Sequence, residues 1–358
     1  MSGSAYRVAH YGTGDTGAQA LRGILGRAGF ELVAHLVHSP NKVGRDAGEI
    51  VGLDPAGVRA TADLDEFLAV DADCVSYFAT DFGRDPDEVI TEMCAMLASG
   101  KNVVTSTMPA LAYPPALPKD VLGRLERACA EGSTSFFCSG IAPGFTPDAL
   151  VLACSSLCEQ VTSVTVAERV FMGTYQDPMT FQYLGFGRTL AEHAATPHSE
   201  IPSDAFRATF SMLGDGLGIS FDKVRARRDV AVADKDYTCA AGPIPEGTVA
   251  SVRLGFEGLV DGEPRITTGI IYSMIDTVVD EWLPRVLPDA PPDARTTQVV
   301  ITGAPDVDCH LVLSGSDQPG VDATAARVIN AIPVTCGASP GLHSPLTLFV
   351  WGDHVFTS

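Results

Sequence analysis

Positive charge is scarce in this sequence. Only five lysines occur in 358 residues, and basic residues number 24 against 44 acidic ones, a formal net charge of −20. A surface this acidic repels phosphate backbones and anionic headgroups, so nucleic acid and membrane surfaces are excluded as expected partners. Any site for an anionic ligand must build its own local positive field. No apolar run approaches the ~18 residues of a membrane span. The start Met-Ser-Gly-Ser-Ala-Tyr-Arg has no apolar signal region, so a cytoplasmic protein is expected. The nine cysteines are scattered, odd in number and without CxxC or zinc-ligand spacing, which suits a reducing compartment. The eight histidines form no ligand-like pair. HExxH, a P-loop, a Ser/His/Asp order, internal repeats and low-complexity tracts are also absent, and no metal is expected.

What is present is ordinary globular material, 46% hydrophobic and 19% charged, in a chain long enough for two domains. Residues 1–150 alternate short apolar strands with helices. Strands are predicted at Tyr6–Tyr11, Phe30–Val37, Cys74–Ala79, Asn102–Thr105 and Ser135–Cys138. Helices are predicted at Ala18–Gly26, Asp63–Leu68, Pro86–Ala98 and Pro118–Glu131. That alternation predicts an α/β, Rossmann-type, doubly wound parallel sheet with helices on both faces.

The pattern changes near residue 160. Val161–Phe171, Ala231–Cys239, Thr248–Val260 and Pro264–Ile271 read as strands of an antiparallel or mixed sheet, and Gln182–Leu217 reads as helical, with loops at Pro197 and Pro202. Pro284–Arg295 reads as a surface loop, and Val321–Ile329 as a helix. The expected organisation is a dinucleotide-binding domain at 1–150, an inserted α+β substrate and dimerisation domain at 151–320, and a segment at 321–358 returning to the first domain.

The strongest motif is Gly12-Thr13-Gly14-Asp15-Thr16-Gly17. It follows a strand and opens a helix, the context that gives GxGxxG meaning. Gly12 permits the tight turn, Gly14 admits a pyrophosphate, Gly17 allows close helix–strand packing, and the helix N-terminus attracts the anion. Cofactor choice is written after the second strand, where an NAD protein usually carries an acid. This chain has none there and offers Ser39, Lys42 and Arg45 instead. A hydroxyl and two cations suit a 2′-phosphate, so NADP is expected, with NAD as the other possibility. Ala79, Thr80, Thr105, Ser106 and Thr107, at two further strand ends, are expected to flank the nicotinamide. The turn Gly140-Ile141-Ala142-Pro143-Gly144-Phe145 breaks a strand rigidly, which suits a pocket wall or a hinge. Glu168, Tyr175 and Asp177, at or after the end of the first long strand of the second domain, are the candidate proton donors and acceptors.

Several stretches carry a family resemblance. They are Gly12–Gly17, SPNKVGRDAG at 39–48, GKNVVTST at 100–107, GIAPGFTPD at 140–148 and ATAARVINAIPVTCGASPGL at 323–342. The N-terminal part resembles the dinucleotide-binding half of dihydrodipicolinate reductase. The whole chain resembles the 2,4-diaminopentanoate dehydrogenase and native amine dehydrogenase family. The resemblance implies reversible hydride transfer between a nicotinamide and a small amine, ketone or imine, and a homodimer. It also implies that Asn330 lies near the nicotinamide. Met108 and Pro109, with Ala142 and Pro143 of the rigid turn, are expected to line the substrate pocket. Two departures stand out. The His-His-x-x-x-Lys signature of dihydrodipicolinate reductases is missing. So is the glutamate the dehydrogenases carry shortly after the strand matching Asn102–Thr105, where this chain reads Met108-Pro109-Ala110-Leu111-Ala112-Tyr113.

Overall fold

The computed structural model describes residues 5–175, 178–196, 203–275, 280–283, 291 and 294–352. It divides into two compact units, Met1–Phe145 with Val321–Ser358, and Thr146–Gly320.

The first unit contains β1 (Tyr6–Tyr11), α1 (Asp15–Leu25), β2 (Phe30–Leu36), α2 (Ala47–Ile50), β3 (Ala60–Thr61), α3 (Leu64–Ala69), β4 (Cys74–Tyr77), α4 (Pro86–Ala98), β5 (Asn102–Thr105), α5 (Lys119–Gly132) and β6 (Ser135–Cys138). Local chemistry sets the helix ends. Asp63 and Asp85 cap α3 and α4 through their carboxylates, and Pro86 occupies the first turn of α4, where its missing N–H costs nothing. Successive strand residues serve opposite cores. Val103 and Phe136 pack with Met93, Leu97 and Leu125 of α4 and α5, whereas Val104 and Phe137 pack with Leu21 and Ile24 of α1. Both faces are covered, so β4 and β6 are buried end to end, as parallel strands require.

The second unit holds α6 (Ala149–Ser155), β7 (Gln160–Phe171), α7 (Pro178–Leu184), α8 (Leu190–Ala195), α9 (Asp204–Leu217), β8 (Lys223–Val232), β9 (Tyr237–Cys239), β10 (Gly242–Ile244), β11 (Val249–Val260), β12 (Glu263–Ser273), β13 (Arg295–Ala304) and β14 (Val307–Leu313). Its main sheet has the order β14-β13-β7-β12-β11-β8. One face packs on Val151 of α6 and on Phe210 and Leu213 of α9, with Phe206 stacked on Phe256 at 3.7 Å. Asp261 (φ 54°) and Gly262 (φ 78°) turn β11 into β12, as the primed hairpin turns demand. The other face carries ion pairs, Arg253 with Asp229 and Arg225 with Glu257. The sheet is mixed and not purely antiparallel, because β12 runs parallel to β7. Pro197, Pro202 and most of Pro284–Arg295 lie outside the described residues.

The chain then forms α10 (Pro319–Asn330), α11 (Ile332–Cys336) and β15 (Gly341–His343). Val328 and Ile332 complete the core beneath α1, and β15 adds an edge strand to the first sheet. Its order is β15-β6-β5-β4-β1-β2-β3, parallel throughout. No helix among the described residues is long and apolar enough to cross a membrane.

Candidate functional site

At the end of β1 the backbone turns at Gly12 with φ 99°. A Cβ there would lie 2.6 Å from the carbonyl carbon and oxygen of Phe78. The Gly12 N–H donates to Leu36 O at 3.1 Å. A Cβ on Gly17 would fall 2.5 Å from the Gly12 oxygen, so α1 sits directly on the turn. Gly14 is the N-cap of α1 and supplies no side-chain cap. A Cβ on it would meet nothing within 4 Å. The first N–H groups of α1 and its dipole are therefore presented to the loop, the arrangement that seats an anion. Lys42 folds back onto this loop, its Nζ donating to Thr13 O (3.1 Å) and Thr13 Oγ1 (2.9 Å). Ser39 and Arg45 are exposed on the same segment, and Asp15 is exposed in the first turn of α1. These residues fit a bound dinucleotide: a glycine turn closed to side chains from below, a Gly14 flank clear of side chains, and cations beside it.

Under the turn lies His10, fully buried, its Nε2 2.7 Å from Gly12 O and its Nδ1 3.3 Å from Ser76 Oγ. Its ring centroid is 5.6 Å from that of buried His35. Burial, aided by His35, pushes the His10 imidazole down to about 3. Burial and nearby Lys42 push His35 down to about 4. Both rings are neutral near neutral pH.

A cavity of about 230 Å³ lies at the ends of β5 and β6. Its wall includes Thr16, Ser106, Pro109, Cys138, Pro143 and Thr324, together with Ala142. Among the described residues, no Asp, Glu, Lys, Arg or His lines it. Cys138, its one thiol, is pushed well above the usual range by burial. The neighbouring threonines are committed elsewhere: Thr105 Oγ1 donates to Tyr77 O and Thr107 Oγ1 to Ala79 O, both at 2.8 Å. They hold strand ends together, and only Ser106 of that trio faces the cavity. Thr80 is exposed, its Oγ1 accepting from Phe82 N–H. Met108, at φ 54°, starts the turn that carries Pro109 and packs against the core. The Gly140–Phe145 turn closes on itself, with Ser139 Oγ donating to Gly144 O at 3.1 Å. Arg327 braces it, reaching Ser139 Oγ at 3.3 Å and lying 5.0 Å over the Phe145 ring.

In the second unit Glu168 is 2% exposed. One carboxylate oxygen pairs with Arg295, and the other accepts from Thr146 Oγ1 at 2.9 Å. Tyr175 is half-buried in the turn after β7. Asp177 lies outside the described residues. Tyr272 of β12 joins the group, its hydroxyl pushed up to about 12 by burial while Arg295 works against that.

A family model describing the 2,4-diaminopentanoate dehydrogenase C-terminal domain matches residues 145–352, and one for the N-terminus of dihydrodipicolinate reductase matches residues 6–108. An amine dehydrogenase of Streptomyces virginiae is 31% identical over 94% of each chain. The chain belongs to the 2,4-diaminopentanoate dehydrogenase family. A named 2,4-diaminopentanoate dehydrogenase, from Acetoanaerobium sticklandii, is 25% identical over 68% of this chain and 66% of its own length. The solved amine dehydrogenase of Mycobacterium smegmatis has the same fold, with a TM-score of 0.75, 17% identity and 98% of each chain covered. The protein is thus a nicotinamide-dependent oxidoreductase.

Within this family member, Asn330, expected near the nicotinamide, is placed away from the glycine loop. It accepts from the Arg27 guanidinium, beyond the C-terminal end of α1, whose 11 residues span about 16 Å. The residue of α10 that lines the cavity is Thr324, whose Oγ1 accepts from Ile141 N–H at 3.4 Å. Sequence reasoning also passed over His10, Ser139, Tyr272 and Arg327. Only Thr324 and Arg327 lay in a stretch it had singled out.

Proposed function

We propose that this family member is a cytoplasmic, homodimeric, NADP-dependent dehydrogenase for a small, uncharged carbonyl compound and its amine. The reading rests chiefly on one observation: the cavity beside the glycine loop presents hydroxyls, apolar groups and a neutral thiol, with no ionisable acid or base of ordinary range among its described residues. Such a wall holds an uncharged carbonyl or imine and penalises a carboxylate or an ammonium ion. When bound, the nicotinamide supplies or accepts hydride at its C4. Amine, water and NADP⁺ then balance against ketone, ammonia, NADPH and a proton. The absence of an acid among Met108–Tyr113 favours a second reading, a carbonyl or imine reductase that does not use ammonia.

The test is oxidation of NADPH and NADH over a panel of ketones and aldehydes, each with and without ammonia. Turnover that requires ammonia supports amine chemistry. Turnover that ignores ammonia selects the reductase. Tight cofactor binding with no turnover across the panel counts against both readings and points to a binding role. Sedimentation of the purified chain checks the homodimer.

NADP preference rests on Lys42, Arg45 and Ser39. Arg45→Ala is expected to weaken NADPH by ~1–3 kcal/mol and leave NADH nearly unchanged, as loss of a charge-assisted phosphate contact would. Lys42→Ala should weaken both cofactors, NADPH more, because Lys42 also ties Thr13. Titration calorimetry with each cofactor decides; equal losses for the Arg45 variant would sink the phosphate assignment.

A further inference from the structure

We infer that His10 is a positioning residue for the dinucleotide: it fixes the peptide between Gly12 and Thr13 so that the Thr13 N–H points away from the sheet, toward the anion. The inference rests on the dinucleotide reading above. It concerns a residue that no sequence motif marks, two positions before the end of the strand–turn junction.

The argument starts from the cost of the residue. His10 is fully buried at the end of β1, between strands whose other buried side chains are mostly apolar. An imidazole there loses water on both nitrogens, and a hydrophobic residue of similar size would fill the space without that loss. Something must compensate, and its two contacts show what. Gly12 O can only accept, so Nε2 carries the proton and donates across 2.7 Å. Nδ1 is then the acceptor facing Ser76 Oγ at 3.3 Å, and the serine hydroxyl, free to donate, supports the tautomer that the carbonyl selects. Burial keeps the ring neutral, with the nearby His35 ring adding to the penalty for a cation. One N–H is therefore available, and Gly12 O accepts it, with the Gly17 backbone also interacting with the ring.

The consequence follows from peptide geometry. In a trans peptide the C=O of one residue and the N–H of the next point in opposite directions. Pinning the Gly12 carbonyl inward, against His10 and beneath Gly17, sends the Thr13 N–H outward. The other side of Gly12 is fixed as well, its own N–H being bonded to Leu36 O. Glycine at φ 99° is otherwise the most permissive point of the loop. Without His10 the buried carbonyl loses its donor, and a peptide flip that turns the oxygen outward would relieve it. That flip would aim an acceptor at the place a phosphate must occupy.

Three full-length variants test this. His10→Phe keeps a planar ring and removes the donor. His10→Gln restores an N–H at about the reach of Nε2. Ser76→Ala leaves His10 in place and removes the hydroxyl that donates to Nδ1 and supports that tautomer. Dissociation constants for NADPH and NADH are measured by titration calorimetry, alongside thermal melting without cofactor. His10→Phe is expected to weaken both cofactors alike by about tenfold or more, His10→Gln to recover most of that, and Ser76→Ala to lose about threefold. Equal affinities for His10→Phe and wild type overturn the inference, as do equal losses in the Phe and Gln variants, which would mark a merely structural residue. If His10→Phe does not fold, unchanged binding by Ser76→Ala overturns it instead. A wild-type chain that binds neither cofactor would remove the dinucleotide reading itself, an outcome distinct from a wild type that binds and a variant that binds equally well.

Discussion

Gly12→Ala is expected to weaken dinucleotide binding roughly a hundredfold or more and to cost ~3 kcal/mol of stability. Two independent effects add. Gly12 sits at φ 99°, where an L side chain is strained by about 1–2 kcal/mol. Its Cβ would also stand 2.6 Å from the Phe78 carbonyl carbon and oxygen and 2.7 Å from Ala79 N. Those are backbone atoms at the end of β4, held by the sheet, and no rotamer change can move them aside. The turn must open, and the N–H groups of α1 then lose their aim. Gly14→Ala is the control. Gly14 has an ordinary φ of −70°, and its Cβ would touch nothing within 4 Å. That variant should melt like wild type yet bind dinucleotide less well, because the new methyl stands where the pyrophosphate must approach. Cofactor titration together with thermal melting separates the two. A Gly14 variant that binds normally would show that this flank is not the approach path.

Much of the first unit was legible because its signals are local. A buried parallel strand is a short apolar run, and a glycine turn between strand and helix is contiguous in sequence. The second unit was less legible for physical reasons. Lys223–Val232 reads KVRARRDVAV, a charged stretch, and becomes a strand because its arginines and aspartate find Glu257 and Arg253 on the neighbouring strand. That support is long-range and leaves no trace in the segment itself. Arg295–Ala304 and Val307–Leu313 were missed likewise, and so was the three-residue Gly341–His343 edge. Parallel pairing of β12 with β7 depends on register, which alternation cannot encode. At the site, the glycine loop was readable, whereas Thr324 joins the cavity only through the return of the chain. Asn330 was displaced by the rise of α10: six residues beyond Thr324 is about 9 Å along the axis. Thr105 and Thr107 looked like cofactor contacts because hydroxyls at strand ends can serve either role. Their side-chain bonds to Tyr77 O and Ala79 O hold the strand ends.

Glu168→Ala is expected to destabilise the second unit by ~3–5 kcal/mol, a fall in melting temperature of about 10 °C. Glu168 and Arg295 are buried together, with 2% and 14% of their side chains exposed. Removing the carboxylate leaves a guanidinium in a poorly solvated place and takes the acceptor from Thr146 Oγ1. Glu168→Gln should cost less, because the amide oxygen still accepts from Thr146 while the charge is lost. A Glu168→Leu, Arg295→Met pair should recover much of the stability, since buried ion pairs often repay their desolvation no better than hydrophobic packing does. The same variants bear on catalysis. A proton-transfer group needs an oxygen that can reach the substrate, and both oxygens of Glu168 are already engaged. We therefore expect Glu168→Gln to keep kcat within about threefold below its melting temperature, with Tyr175, Tyr272 and the sequence candidate Asp177 as the groups to test for proton transfer. A loss of kcat by orders of magnitude in a folded Glu168→Gln enzyme would instead return the proton-transfer role to Glu168, with Arg295 serving to hold it ionised.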